Sequence, residues 1–234
     1  LDVWLSALHR EEYIERAASA RFQGQVEYRF SHALMREAAY DLLTDEDRYH
    51  GHVAIARFLL TTEAPLEALV DKSCENPFEH LLASPLGRRA LEQHAALFDI
   101  VYHLQQSTVC TEAHRAHTHH AELNLMAAMR AEASNALDTA LSYAEVGKRC
   151  LGESDWDERF DLCFQLFSKL AEYAHFSRQP ARTAAVFQEL EQRLTTFDQL
   201  TQYMTLRYAL SELLGIPFDG PAEQLLGRLL GTSN

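Results

Sequence analysis

An all-α fold follows from three observations on the sequence. The 234-residue chain holds only nine Gly and six Pro, few for a protein of sheets and turns, while the good helix formers Ala, Leu, Glu, Gln and Arg recur throughout. Apolar residues repeat at helical spacing in one segment after another. Ser or Thr opens five of these segments, where a side-chain oxygen can accept from the free N–H groups of a first turn. Hydrophobic residues at 47%, with 10% aromatics, are enough to fill a core in a chain of this length.

Residues 1–17 place Val3, Leu5, Leu8, Tyr13 and Ile14 at loosely helical spacing, and the stretch from Arg21 to Gln25 predicts a turn. Residues 26–30 alternate apolar and polar and form the only predicted strand. Ser31 then caps a helix whose face carries Leu34, Met35, Ala38 and Leu42. Thr44 with Asp47 has the spacing of a capping box and opens a helix bearing Tyr49, Val53, Ala56 and Leu60; acidic side chains suit its positive end. Residues 61–83, with Pro65 and Asn76-Pro77, fit one or two brief helices. Ser84-Pro85 starts a helix that runs to about Gln106 with Leu86, Ala90, Leu97, Val101 and Leu104 in period.

From residue 112 the pattern becomes paired helices. The first pair, 112–133 and 136–151, breaks at Ser134-Asn135 and stops at Gly152; Ala128, Ala131, Ala140 and Ala144 let its members approach closely. Ser154 and Asp157 open a second pair as a capping box, and its long helix shows the clearest apolar stripe, from Trp156, Phe160, Cys163, Phe164 and Phe167 to Leu170, Ala171 and Ala174. Gln179-Pro180 breaks it, and 181–195 follows with Phe187, Leu190 and Leu194. Thr196 and Gln199 start a further helix closed by Gly215-Ile216-Pro217, and Gly220-Pro221 opens a short one with Leu225 and Leu229. Such pairs approach the roughly 34-residue tetratricopeptide unit, with Ala128, Ala140, Tyr143, Ala184 and Phe187 near its small and aromatic positions. Arg178-Gln179-Pro180 stands where a Gly-rich turn is usual, so the array is expected to be irregular.

A formal charge of −13 repels phosphate backbones and anionic lipid heads, which makes general nucleic-acid or membrane binding a poor expectation. Cys74, Cys110, Cys150 and Cys163 lie far apart without a CxxC pair and are expected to be reduced, mostly buried thiols in a cytoplasmic protein. No apolar run approaches the length of a membrane span. Leu1 begins the chain without Met or a signal-peptide pattern, as expected of a piece of a longer protein.

The run from Glu27 through Tyr28, Phe30, His32, Arg36 and Tyr40 to Leu43, followed by Arg48 and by His52 to Ala56, resembles the end of the ATPase region in large bacterial signalling regulators of the STAND type, which are AAA-like predicted ATPases. The stretch from Phe98 to Leu104, then Ala121 to Leu125 and the Ala-rich pair through Tyr143, is similar to the start of the helical array in members fused to histidine or serine/threonine kinases. The resemblance implies a winged-helix-like module at 1–62, a helical linker at 63–110 and tetratricopeptide-like repeats at 111–234. It also implies ATP in an upstream domain of a parent protein, with a kinase, cyclase or DNA-binding domain as output. This chain has no GxxxxGK[ST] loop and no HRD or DFG signature, so no cofactor is expected in it and no catalysis.

His114, His117 and His120 share a helix face at i, i+3 and i+6, with His119 and Glu122 nearby, and are the metal candidates; the alternative is a solvated helix face. His32 beside Arg36 and Glu37 has acid/base character, against a role in fixing the strand-to-helix junction. The carboxylates at 45–47 and at Asp155, Asp157 and Glu158 are explained by helix starts. The leading expectation is a non-catalytic coupling module that binds a protein partner or neighbouring domains of its own chain. A DNA-associated regulator is the second, opposed by the near balance of acids and bases over 21–60; a metal enzyme is the third.

Overall fold

The computed structural model describes residues 2–21, 24–63, 66–70, 74, 76–109, 118–215 and 227. It is mostly helical: among the described residues there are thirteen helices and one two-stranded sheet. The chain divides into two compact units, Leu1–His114 and Arg115–Asn234.

The first unit opens with α1 (Asp2–Arg10), β1 (Ile14–Arg16), β2 (Tyr28–Phe30) and α2 (Ala33–Asp41). The helix expected over 1–17 is therefore a helix and a strand. Its pattern breaks at Glu12, whose φ of 60° is left-handed, and Ile14 to Arg16 pair antiparallel with Phe30 to Tyr28, leaving two strands where one was expected. Across the pair Arg29 Nε donates to Glu15 Oε1 at 2.7 Å. His32, not Ser31, is the N-cap of α2, extended in backbone and without a side-chain bond to the first turn. No residue of α2 is buried: Leu34 is 77% exposed and Leu42, which caps its end, 86%, against the expectation that these residues pack a core. Phe30 and Tyr40 are also exposed, so their truncation would leave no cavity.

The core of this unit is built later in the chain. Thr44 Oγ1 accepts the Asp47 N–H at 3.1 Å and starts α3 (Asp45–Leu60) as its spacing predicts. Short helices α4 (Leu66–Leu69) and α5 (Pro77–Leu82) follow, then α6 (Pro85–Gln93), capped by Ser84 Oγ on the Gly87 N–H, and α7 (Leu97–Val109). α3 packs on α7, where Ala56, Leu59 and Leu60 are buried along with Leu97, Ile100, Val101 and Leu104. The single helix expected over 84–106 is thus two. His94 turns out of the helix at ψ 127°, its Nδ1 accepts the Ala96 N–H at 3.1 Å, and Glu63 Oε2 accepts the Ala95 N–H at 3.3 Å. Side chains supply the bonds that helical carbonyls would have made, so no Gly or Pro marks the break.

The second unit holds α8 (Thr118–Ala133), α9 (Leu137–Arg149), α10 (Asp155–Glu158), α11 (Phe160–Phe176), α12 (Pro180–Arg193) and α13 (Phe197–Leu214). α8 packs on α9, α9 on α11 and α11 on α12. Gly147 sits in this stack where a Cβ would lie 3.1 Å from Leu166 Cδ1 and 3.2 Å from Asn124 Cβ, so a bare backbone lets α9 sit against both neighbours. Thr196 and Gln199 form the expected capping box, and Gly215 closes α13 at φ 66°. The box expected at Ser154 does not form: Ser154 is helical, Asp155 Oδ2 instead accepts the Gly152 N–H at 2.7 Å, and Arg159 separates α10 from α11. Residues 112–117 and, Gly227 apart, the short helix expected after Gly220, with Leu225 and Leu229, lie outside the described residues.

The two helical hairpins share one turn. After α8 the N–H groups of Asn135 and Ala136 donate to Glu132 O and Ala131 O; after α11 those of Arg178 and Gln179 donate to His175 O and Ala174 O. Asn135 and Arg178 both take φ near +60°. Asn tolerates that region; Arg does so at a cost of about 1–2 kcal/mol. Arg178→Gly, at this exposed site, is expected to raise the thermal midpoint by a few degrees, a gain of about 0.5–1 kcal/mol after the entropy of Gly is counted, and Asn135→Gly by less. Thermal melts followed by circular dichroism check both.

Candidate functional site

Of the six motif residues singled out in the sequence, the fold brings two together. Tyr28 is half-buried on β2, edge-on to His9 at 6.2 Å; Phe30, His32 and Arg36 are exposed. Tyr40, near the end of α2, reaches His52 of α3, with 3.0 Å between its Oη and His52 Nε2. Arg48, one turn before His52, holds this approach: its Nε donates to Tyr40 O at 3.2 Å, its Nη2 to Asp41 O at 3.3 Å, and its guanidinium lies 4.7 Å over the Tyr40 ring.

Behind His52 stands a residue the sequence did not single out, His103 of α7, with 2.8 Å between the two Nδ1 atoms. Burial pushes the His52 imidazole below its ordinary range. Burial, then the nearness of His52, push His103 down as well, against the pull of Asp99. Both rings are therefore biased toward the neutral form. Asp99 in turn pairs with Arg21, which ties the segment after β1 to α7. His103 lies inside the run from Phe98 to Leu104, but nothing in its spacing pointed to a partner 51 residues earlier.

The second unit carries a different arrangement, a seam of ion pairs between helices. Glu132 of α8 accepts from Lys169 Nζ at 3.1 Å and from Tyr173 Oη at 2.8 Å, both on α11, and Lys169 also reaches Glu172 at 2.9 Å. Arg159 Nη2 donates to buried Glu122 at 2.7 Å. Lys148 and Glu145 of α9 pair with Glu189 and Arg182 of α12, and Glu153 with Arg193. On α12 and α13, Tyr203 donates to Glu191, and Arg207 lies 4.2 Å over Phe187. Burial pushes the Tyr173 and Tyr203 hydroxyls far above their ordinary range, and their carboxylate partners add to it. Burial likewise pushes the Cys150 thiol to about 11 and the Cys163 thiol to about 12, so neither is a thiolate near neutrality. These groups join helices; they are not poised as nucleophiles.

Of the metal candidates, His114 and His117 lie outside the described residues. His120 is buried, edge-on to buried His119 at 4.4 Å, so at that position the helix face is not solvated. Among the described residues no group of three His, Cys, Asp or Glu could hold a metal ion, and no helix is long and apolar enough to cross a membrane.

No protein-family model, curated protein or solved structure matches this chain. Its function rests on its own geometry. The seam and the shared hairpin turn were only partly visible beforehand: the small residues and breaks at Ser134-Asn135 and Gln179-Pro180 marked the hairpins, whereas the ion pairs join residues some forty positions apart, and only the fold brings them together.

Proposed function

We propose that this chain is a non-catalytic scaffold and signal-coupling region of a larger bacterial signalling ATPase, with a helical-repeat array in its second unit that binds a protein partner. The observation that carries this reading is the recurrence of one turn, bond for bond, at Asn135 and Arg178, in two helical hairpins whose helices stack in sequence. Stacked hairpins of that kind form extended surfaces rather than closed pockets. Arg178 follows Asn135 by 43 residues, longer than the roughly 34 of a regular tetratricopeptide unit, in keeping with an irregular array. In the first unit the helix, hairpin and two helices that span 2–60 are read as the winged-helix-like end of an ATPase module. The exposed apolar residues Val3, Trp4, Leu34 and Leu42 then have a neighbour to pack on, the nucleotide-binding core of the parent. ATP belongs to that core, and the chain itself needs no cofactor.

The test is titration calorimetry of the chain with ATP and magnesium, beside ATPase assays of the parent protein with and without residues 115–234. The expected result is no saturable heat for the chain alone, and basal hydrolysis in the truncated parent that no longer responds to the partner. Tight saturable binding of ATP by the chain would overturn the reading, as would a truncated parent that responds normally.

A further inference from the structure

We propose that Tyr40, His52 and His103 form a proton-operated latch in the first unit, which holds α2, α3 and α7 together with no proton or one proton added to the imidazole pair and releases them when a second proton binds. With both rings neutral, one Nδ1–H points at the other Nδ1 lone pair across 2.8 Å, and His52 Nε2 accepts from or donates to Tyr40 Oη at 3.0 Å according to its tautomer. One added proton keeps the contact, because a cationic ring then donates to a neutral one. Two added protons put an N–H on each Nδ1, so that hydrogens and like charges meet where a hydrogen bond stood.

The groups that face this pair set its direction. From α2 comes the Tyr40 phenol, from α3 the Arg48 guanidinium on the far side of that phenol, and from α7 Asp99, already paired with Arg21, and the Tyr102 ring, edge-on to His103 at 5.3 Å. Among the described residues Asp99 is the anion that favours His103 as a cation, and Arg21 competes for it. His52 is 9% exposed, so water reaches it poorly in the closed state. Both rings are pushed below their ordinary 6.5 in the folded chain, so the open state binds more protons as the pH drops. The closed state accordingly has its full stability above about 6.5 and loses it as pH falls through the folded values. The parts that would separate are α3 and α7, which carry the core of the unit.

Hydrogen exchange read by mass spectrometry on the full chain tests this at about pH 7.5 and about pH 5.5. Protection factors, which correct for the intrinsic pH dependence of exchange, are compared for 45–60 and 97–107, with 137–149 of the second unit as reference. Wild-type protection in the first two segments is expected to fall at least about tenfold at the lower pH, the effect of one pK unit, while the reference holds. His103→Gln offers His52 an amide that does not titrate; its neutral-pH protection should stay within about threefold and its acid loss should fall well below that of the wild type, to what the burial of His52 alone causes. Loss of protection that is equal in the variant and the wild type, or absent from both, overturns the latch. Should the variant fail to fold, imidazole titration of the wild type by NMR decides: two linked steps, one well below the ordinary range, support the latch, and two independent steps near 6.5 overturn it.

Discussion

Val101→Asp is expected to unfold the core of the first unit. Val101 is 1% exposed in the middle of α7, among Leu97, Ile100 and Leu104 and against the face of α3 that buries Ala56, Leu59 and Leu60. A carboxylate there loses its water in a buried apolar helix interface, a cost on the order of 4 kcal/mol once partial relaxation is allowed. A domain of this size has a total stability of about 5–15 kcal/mol, so the change removes a large share of it. The thermal midpoint of the unit should drop by about 15–30 °C. Val101→Ala serves as the control for lost methyl groups, at about 2 kcal/mol, and the difference between the two isolates the buried charge. Calorimetry of both variants measures this, and a Val101→Asp chain that melts with the wild type would show that α7 is not the core helix described. On the coupling role proposed above, the same substitution in the parent protein is expected to leave ATP affinity near wild type while output falls. Normal signalling from a folded variant would make α7 a passive spacer.

The sequence carried the helices well wherever a cap and a period coincided. Thr44, Ser84 and Thr196 each accept from the N–H their spacing assigned to them, because a cap is a local bond between residues three apart. Breaks made by side chains were not legible. His94 and Glu63 end α6 and start α7 with bonds that span as many as 32 residues, and a search for Gly and Pro passes over them. Periodicity also says less than it first suggests. Leu34 and Leu42 share a helical face and are exposed all the same, since a period shows that a face seeks cover and not that this chain provides it. The strand at 14–16 was hidden for a related reason: three residues are too few to show alternation, and pairing with 28–30 decides their state. At the candidate site Tyr40 and His52 were named from the motif they sit in, but His103 joins them only through the packing of α3 on α7.

Phe167→Ala is expected to have a comparable effect in the second unit, for the opposite chemical reason. Its ring is buried on α11, meets Trp156 edge-on at 5.0 Å, and has the Lys148 ammonium at 5.0 Å on its face. Truncation removes the ring from a site bounded by three elements, α9, α10 and α11, each held by other contacts: Lys148 by Glu189, α10 by the bond from Gly152 to Asp155, α11 by Glu132. Elements fixed in that way collapse poorly into a void, so the cost should sit in the upper part of the usual range for such truncations, about 3–5 kcal/mol, with up to about 1 kcal/mol from the lost cation–π contact. Phe167→Leu, which fills most of the volume, should cost less than half as much. Tryptophan emission gives a local readout, because the chain has two Trp and only Trp156 is buried, Trp4 being 75% exposed. Emission should shift to the red in Phe167→Ala at temperatures where the chain is still folded, as water reaches the indole, while the reference signal from Trp4 in a Trp156→Phe background stays unchanged. An unshifted spectrum with a wild-type melt would mean that the aromatic stripe of α11 is not the packing centre of the hairpins. The stripe would then have to be read as a surface, with Phe160 and Phe164, stacked at 5.6 Å and half-buried, as its open end.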